Sequence, residues 1–115
     1  MKKEIDNRIS YLGPKGTYSE QAALIYKNQK ENLIVPKKSL FEVLESVEKK
    51  INIEGIIPIE NSRVGTIIEV IDYLIKSKNL FLNEEILVPI EACLITKNKI
   101  DSLDYITEII SKPEA

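Results

Sequence analysis

Three times within residues 9–77, a short run of β-forming residues is cut off by glycine, proline or a polar turn. Each time a Ser/Thr-x-x-Glu box then opens a stripe of apolar residues at helical spacing. The first run is Ile9-Ser10-Tyr11-Leu12, stopped by Gly13-Pro14. Thr17-Tyr18-Ser19-Glu20 follows, and Ala22, Ala23, Ile25 and Tyr26 form one face, predicting a helix over 18–29. The second run, Leu33-Ile34-Val35, ends at Pro36. Ser39-Leu40-Phe41-Glu42 then opens a helix over 40–50 with Leu40, Leu44, Val47 and Ile51 on its apolar face. The third, Gly55-Ile56-Ile57-Pro58-Ile59, is apolar at consecutive positions, as expected of a strand covered on both faces. After the polar stretch Glu60 to Gly65, Thr66-Ile67-Ile68-Glu69 predicts a helix over 66–77 carrying Ile67, Val70, Ile71, Leu74 and Ile75. Units of this kind build a parallel sheet with helices on its faces. The expected fold class is α/β, with residues 1–77 forming one three-layer lobe.

Beyond Ser77 the pattern changes. Leu80-Phe81-Leu82 and Ile86 to Ile95 read as strands, with Pro89 arguing for an edge or a bulge. A short helix is expected from Asp101, and a last strand or helix over Ile106 to Ser111. Residues 78–115 thus supply strands without helices to cover them. This predicts an incomplete second lobe, either cut short or exchanged with another copy, and hence a homodimer through the apolar run 86–95.

Composition narrows the chemistry. The 115 residues carry 16 Lys+Arg against 18 Asp+Glu, a net charge of −2, which gives no electrostatic case for nucleic acid or a membrane surface. Histidine is absent, so no imidazole can serve as base, acid or metal ligand, and the single Cys93 excludes an internal disulfide and a cysteine-cluster metal site. One thiol fits a reducing cytoplasm. The opening Met1-Lys2-Lys3-Glu4-Ile5 lacks the apolar core expected of a signal peptide, and no apolar run nears the ~20 residues of a membrane span.

In parallel α/β sheets, binding belongs at the carboxyl ends of the strands, where loops and helix N-termini gather. Two loops there are informative, 13–17 and 60–65. Helix N-termini expose unpaired N–H groups and attract carboxylates and phosphates. The ends at Thr17 and Thr66, with Asn61 and Ser62 as hydrogen-bond donors, suit a small dicarboxylate or keto-acid. Each residue also has a plainer reading. Thr66 and Ser39 serve as caps, and Gly13, Gly16 and Gly65 make turns. Glu60 is a buried carboxylate tying its loop to a helix end. Cys93 is a small core residue. Lys15 and Arg63 are solvated, within reach of an anion.

Two stretches carry a family resemblance. Tyr11-Leu12-Gly13-Pro14-Lys15-Gly16-Thr17-Tyr18-Ser19-Glu20-Gln21-Ala22-Ala23 resembles the opening of the prephenate dehydratases. Gly55-Ile56-Ile57-Pro58-Ile59-Glu60-Asn61-Ser62-Arg63-Val64-Gly65-Thr66-Ile67 resembles their second signature, with Asp72-Tyr73-Leu74 after it. The order and the gap also fit, and the likeness runs on to Ala115. The resemblance implies a lyase of phenylalanine biosynthesis that converts prephenate to phenylpyruvate with loss of water and CO2, without organic cofactor or metal. It implies a type II periplasmic-binding fold, two α/β lobes with the site in the cleft. Residues 1–77 would be the first lobe and 78–115 the crossover and the start of the second. Thr17, Asn61, Ser62, Gly65 and Thr66 fall on positions expected at the cleft, as substrate-binding residues.

The departures bear on activity. The family's Thr-Arg-Phe motif, whose threonine is considered central to catalysis, does not occur in these 115 residues, so no catalytic residue is assigned. Where the family reads Ser-His-Pro-Gln-Ala, this chain has Ser111-Lys112-Pro113-Glu114-Ala115. The expectation is a prephenate dehydratase-type chain that is inactive by itself. The rival expectation is a non-catalytic module that binds or senses a small carboxylate.

Overall fold

The computed structural model describes residues 6–63 and 65–112. Pro113, Glu114 and Ala115, the end of the divergent pentapeptide, lie outside the described residues, as does Val64 within the second signature.

Strand β1 (Asp6–Leu12) lies between β2 (Ile34–Lys37) and β3 (Asn52–Ile56), parallel to both, with Ile9 opposite Ile34 and Glu54 and Tyr11 opposite Pro36 and Ile56. Helix α1 (Tyr18–Tyr26) joins β1 to β2, and α2 (Leu40–Glu48) joins β2 to β3. The two connections run in opposite directions across the sheet. Right-handed crossovers therefore put the helices on opposite faces. Side-chain alternation along β1 agrees. Ile9 and Tyr11 are fully buried with Ala23 and Ile34, backed by Leu24, Tyr26 and Ile56, on the α1 side. Between them, Ser10 points the other way, its Oγ 3.0 Å from Ser46 Oγ of α2. Ser46 Oγ also donates to Val43 O at 2.7 Å. The expected α/β lobe with helices on both faces of a parallel sheet is present.

Pairing and caps move several element ends. The third strand was expected over 55–59, but β1 offers no partner beyond Tyr11↔Ile56, so residues 57–59 leave the sheet. Pro36 lies within β2, tolerated because β2 is an edge of this sheet. Helix α1 ends at Tyr26 instead of residue 29. Asn28 and Gln29 turn left-handed (φ 54° and 62°), and Gln29 N closes the end on Leu24 O at 2.6 Å. Lys50 (φ 59°) ends α2 in the same manner.

After β3 the chain forms a two-stranded antiparallel hairpin, β4 (Glu60–Asn61) and β5 (Gly65–Thr66), and then helix α3 (Ile68–Lys76). Helix α3 packs on α2. Phe41 and Tyr73 meet edge to face at 5.7 Å, and Glu48 accepts hydrogen bonds from Tyr73 Oη and from Ser77 Oγ at 3.0 Å.

The strands expected over 80–82 and 86–95 do not form, nor does a strand or α-helix over 106–111. Among described residues 78–112 the sole regular element is a 3-10 turn, Leu103–Tyr105, capped by Ser102. An apolar run becomes a strand only where another strand accepts its backbone groups, and none does so here. Cys93 is accordingly exposed, not a core residue.

Candidate functional site

The three strands point the same way, so the loops that follow them leave one edge of the sheet. From β1 the chain turns to the α1 face. From β3 it turns, through the hairpin and α3, toward α2. The carboxyl ends of β1 and β3 are therefore a switch point, where neighbouring strands send their connections to opposite sides. Loops 13–17 and 57–67 flank it.

The first loop is built around Glu20. Thr17 is the N-cap of α1, its Oγ1 accepting from Glu20 N at 3.2 Å, and the Glu20 carboxylate reaches back to Gly16 N at 3.0 Å. Its other oxygen accepts from the buried Tyr11 hydroxyl at 3.1 Å. One carboxylate thus ties the sheet, the loop and the helix start together. Burial, followed by the adjacent Glu20 carboxylate, pushes the Tyr11 phenol up to about 12, so this tie holds its proton. Gly13 serves chain packing. A Cβ there would lie 2.9 Å from Pro36 Cβ, and its N–H bonds Lys37 O at 2.8 Å. Gly16 takes φ +90° with open space beside it.

The Thr17 hydroxyl is engaged inside the loop, lying 3.1 Å from Pro14 O and 3.3 Å from Leu12 O. It shapes the loop, and what it leaves for an anion is the open turn of backbone at Tyr18 and Ser19. Lys15 is exposed at the rim. A cavity of about 350 Å³ lies on this side, lined by Arg8, Tyr11, Lys15, Glu20 and Pro36 among others. No hairpin residue lines it.

The second loop differs from expectation at its end. Thr66 does not cap a helix. It pairs with Glu60 across the hairpin, Ile67 N bonds Ile59 O at 2.8 Å, and the chain stays extended until α3 starts at Ile68, whose N-cap Ile67 has no side-chain cap. The expected Thr66–Glu69 box and the helix start at 66 are both overturned by this pairing. Asn61 is half-buried, its Oδ1 accepting from Arg63 N at 2.9 Å, which closes the turn and leaves its amide NH2 as a donor. Ser62 is exposed at the tip, and Gly65 takes φ +91° where a side chain would strain the hairpin. Glu60 is exposed, not a buried tie. The residue with that role is Glu20, whose place three after Thr17 was the available signal.

The structure therefore gathers Asn61, Ser62, Gly65 and Thr66 in one hairpin and Thr17 in the neighbouring loop. Among the described residues, no hydrogen bond joins the two loops, and no three His, Cys, Asp or Glu side chains gather as a metal set.

A parallel three-stranded sheet with helices on both faces defines the class, an α/β protein. The comparisons narrow that class. The family model of prephenate dehydratase matches residues 9–115. A bifunctional chorismate mutase/prephenate dehydratase of Buchnera aphidicola subsp. Schizaphis graminum (strain Sg) is 40% identical over 108 residues, covering 92% of this chain and 28% of the relative. The protein of that name from Buchnera aphidicola subsp. Acyrthosiphon pisum (strain APS) is 41% identical over 114 residues, 97% of this chain and 29% of its own. A chloroplastic arogenate dehydratase 5 of Arabidopsis thaliana is 32% identical over 109 residues, 94% of this chain and 24% of its own. The chain belongs to the prephenate dehydratase family. It spans less than a third of the length of these relatives. No solved structure matches it.

Proposed function

We propose that this chain is the first-lobe part of a prephenate dehydratase, acting in phenylalanine biosynthesis on the decarboxylating dehydration of prephenate to phenylpyruvate. The observation that carries the reading is the family match over 9–115, with both signature loops leaving the β1–β3 switch point. In the reaction, the electrons of the breaking ring-carbon–CO2 bond enter the ring and expel its hydroxyl as water, once a proton reaches that oxygen. The protein's tasks are to hold two carboxylates and to assist the departing hydroxyl. Backbone N–H groups at the start of α1, the Asn61 amide and the Ser62 hydroxyl suit the first task, with Gly65 and Thr66 setting the hairpin that presents them. Nothing in residues 1–115 is assigned to the second, so we expect the chain alone to bind without turnover.

The finer architecture belongs to this proposal. Residues 1–77 are the first lobe of a fold of the type II periplasmic-binding kind, and 78–115 lead into the second. The chain works in the cytoplasm, a setting with which the single thiol agrees, and pairs as a homodimer through the exposed apolar positions after Ser77, such as Leu87, Ile90 and Ile95.

The test is titration of the ¹⁵N-labelled chain with prephenate and, separately, arogenate. Amide shifts confined to 13–19 and 60–67 are expected. Shifts elsewhere, or none, overturn the assignment, and arogenate alone causing them would change the substrate. Phenylpyruvate formation by the chain at ~1 per second or faster would overturn the expected lack of turnover. Sedimentation reads the assembly, where a species of twice the chain mass is expected and a lone monomer refutes the dimer.

A further inference from the structure

One hydroxyl ties the segment after Ser77 to the lobe. Tyr18, the first residue of α1, extends its phenol to Glu91, 73 residues away in sequence. Its oxygen donates to Glu91 O at 2.9 Å and accepts from Glu91 N at 3.0 Å. A hydroxyl has one proton to give and lone pairs to receive, so it can satisfy both backbone groups of one residue. In a sheet those two groups would exchange bonds with a facing residue. Glu91 is held as in a β-bridge, with a single side-chain atom as partner.

One fact gives this contact weight. Among the described residues it is the one hydrogen-bonded link between residues 80–112 and the rest of the chain, the other bonds of that stretch being local.

We propose that Tyr18 is a positioning residue, its hydroxyl pinning the backbone of Glu91 at the open end of α1, the helix that carries the Thr17 loop. The consequence for the site rests on the functional reading above, because that loop is where the substrate's carboxylate is placed. Tyr18 touches no reacting atom. It sets where the following chain stands relative to the anion-holding end.

The experiment compares the wild-type chain with Tyr18→Phe, which keeps the ring and removes the hydroxyl. Amide exchange at Glu91 should accelerate by about tenfold in the variant, while Tyr11 in β1 is unchanged. Equal exchange at Glu91 in both proteins overturns the proposal, as does a Glu91 amide with no protection in the wild type. A variant that also loosens β1 is replaced by a second comparison, Tyr73→Phe, which removes a phenol elsewhere. Acceleration at Glu91 by that control too would show a general loosening and overturn a specific pin. Prephenate is then added to both chains. Movement of the Glu91 resonance in the wild type alone, with Gly16 moving in both, supports the pin. Equal movement of Glu91 in both refutes it. A Gly16 amide that never moves counts against the functional reading, while the exchange result still decides the pin.

Discussion

Residues 6–77 and 78–112 have similar appetites for burial and opposite outcomes. Among the described residues, every side chain of the buried core lies at or before Val70, including Ile9, Tyr11, Ala23 and Val43 at 0% exposure. The later stretch is as rich in large apolar residues, yet Phe81 is 82% exposed, Leu87 81%, and Ile95 and Ile110 each 88%. The whole chain accordingly has a radius of gyration of 17.6 Å, against ~13 Å for a compact domain of this length. Hydrophobic content does not separate the two regions. What separates them is that the first region forms a sheet with α1 and α2 packed on its two faces, whereas residues 78–112 form no layer.

The sharpest way to break that contrast is one substitution made in both regions. Ile9→Ala removes a fully buried side chain between α1 and the sheet and should cost about 2–5 kcal/mol in chemical denaturation. Ile95→Ala, in dilute protein, should change stability by less than about 0.5 kcal/mol. Equal costs would mean that the later segment is covered in solution. A cost at Ile95 that grows with protein concentration would be the mark of the proposed dimer.

The contrast also marks how far the sequence could be read. The repeated boxes at Thr17 and Ser39 gave α1 and α2 their starts, because an N-cap is a local interaction over three residues. The order β2-β1-β3 was not spelled out by any local motif, only the parallel class. Thr66 misled because the signal is identical to a cap, while the deciding interaction, pairing with Glu60, depends on a hairpin closed by Asn61 and Gly65. The run 86–95 misled for a related reason, since β-propensity reports suitability for a pleated surface and not the presence of a second strand. At the site, the residue types were legible and their division of labour was not. Thr17 spends its hydroxyl on its own loop, and Glu20, passed over except as a box partner, joins that loop to the core.

Caps give a smaller, cleaner test within the first region. Thr17→Ala and Ser39→Ala each remove an oxygen that accepts a helix N–H and should each cost about 0.5–2 kcal/mol. Thr66→Ala, which removes no cap, should stay within about 0.5 kcal/mol. A Thr66 cost matching the other two would restore the expected helix start at 66 and dissolve the hairpin.

The smallest effect expected is alkaline, and it belongs to the first region. Tyr11, Tyr26 and Tyr73 each donate to a carboxylate, of Glu20, Glu54 and Glu48. All three phenols are pushed up to about 12, Tyr11 chiefly by burial, Tyr26 and Tyr73 chiefly by the hydrogen bond to their carboxylates. A phenol whose value rises on folding favours the folded state while protonated. Its contribution is therefore complete below the ordinary value of 10.0 and is lost as pH climbs through about 12. The wild-type curve sums the three phenols, and Tyr26→Phe isolates one of them. Near neutral pH the variant should be slightly less stable, having lost a 2.6 Å bond to Glu54. Between about pH 10 and about pH 12 its Tm should fall less than that of the wild type, since it has a phenol fewer to ionise there. Parallel Tm curves for the two proteins would show that the Tyr26–Glu54 tie between α1 and β3 does not hold its proton, and would remove one of the bonds by which the first region differs from the second.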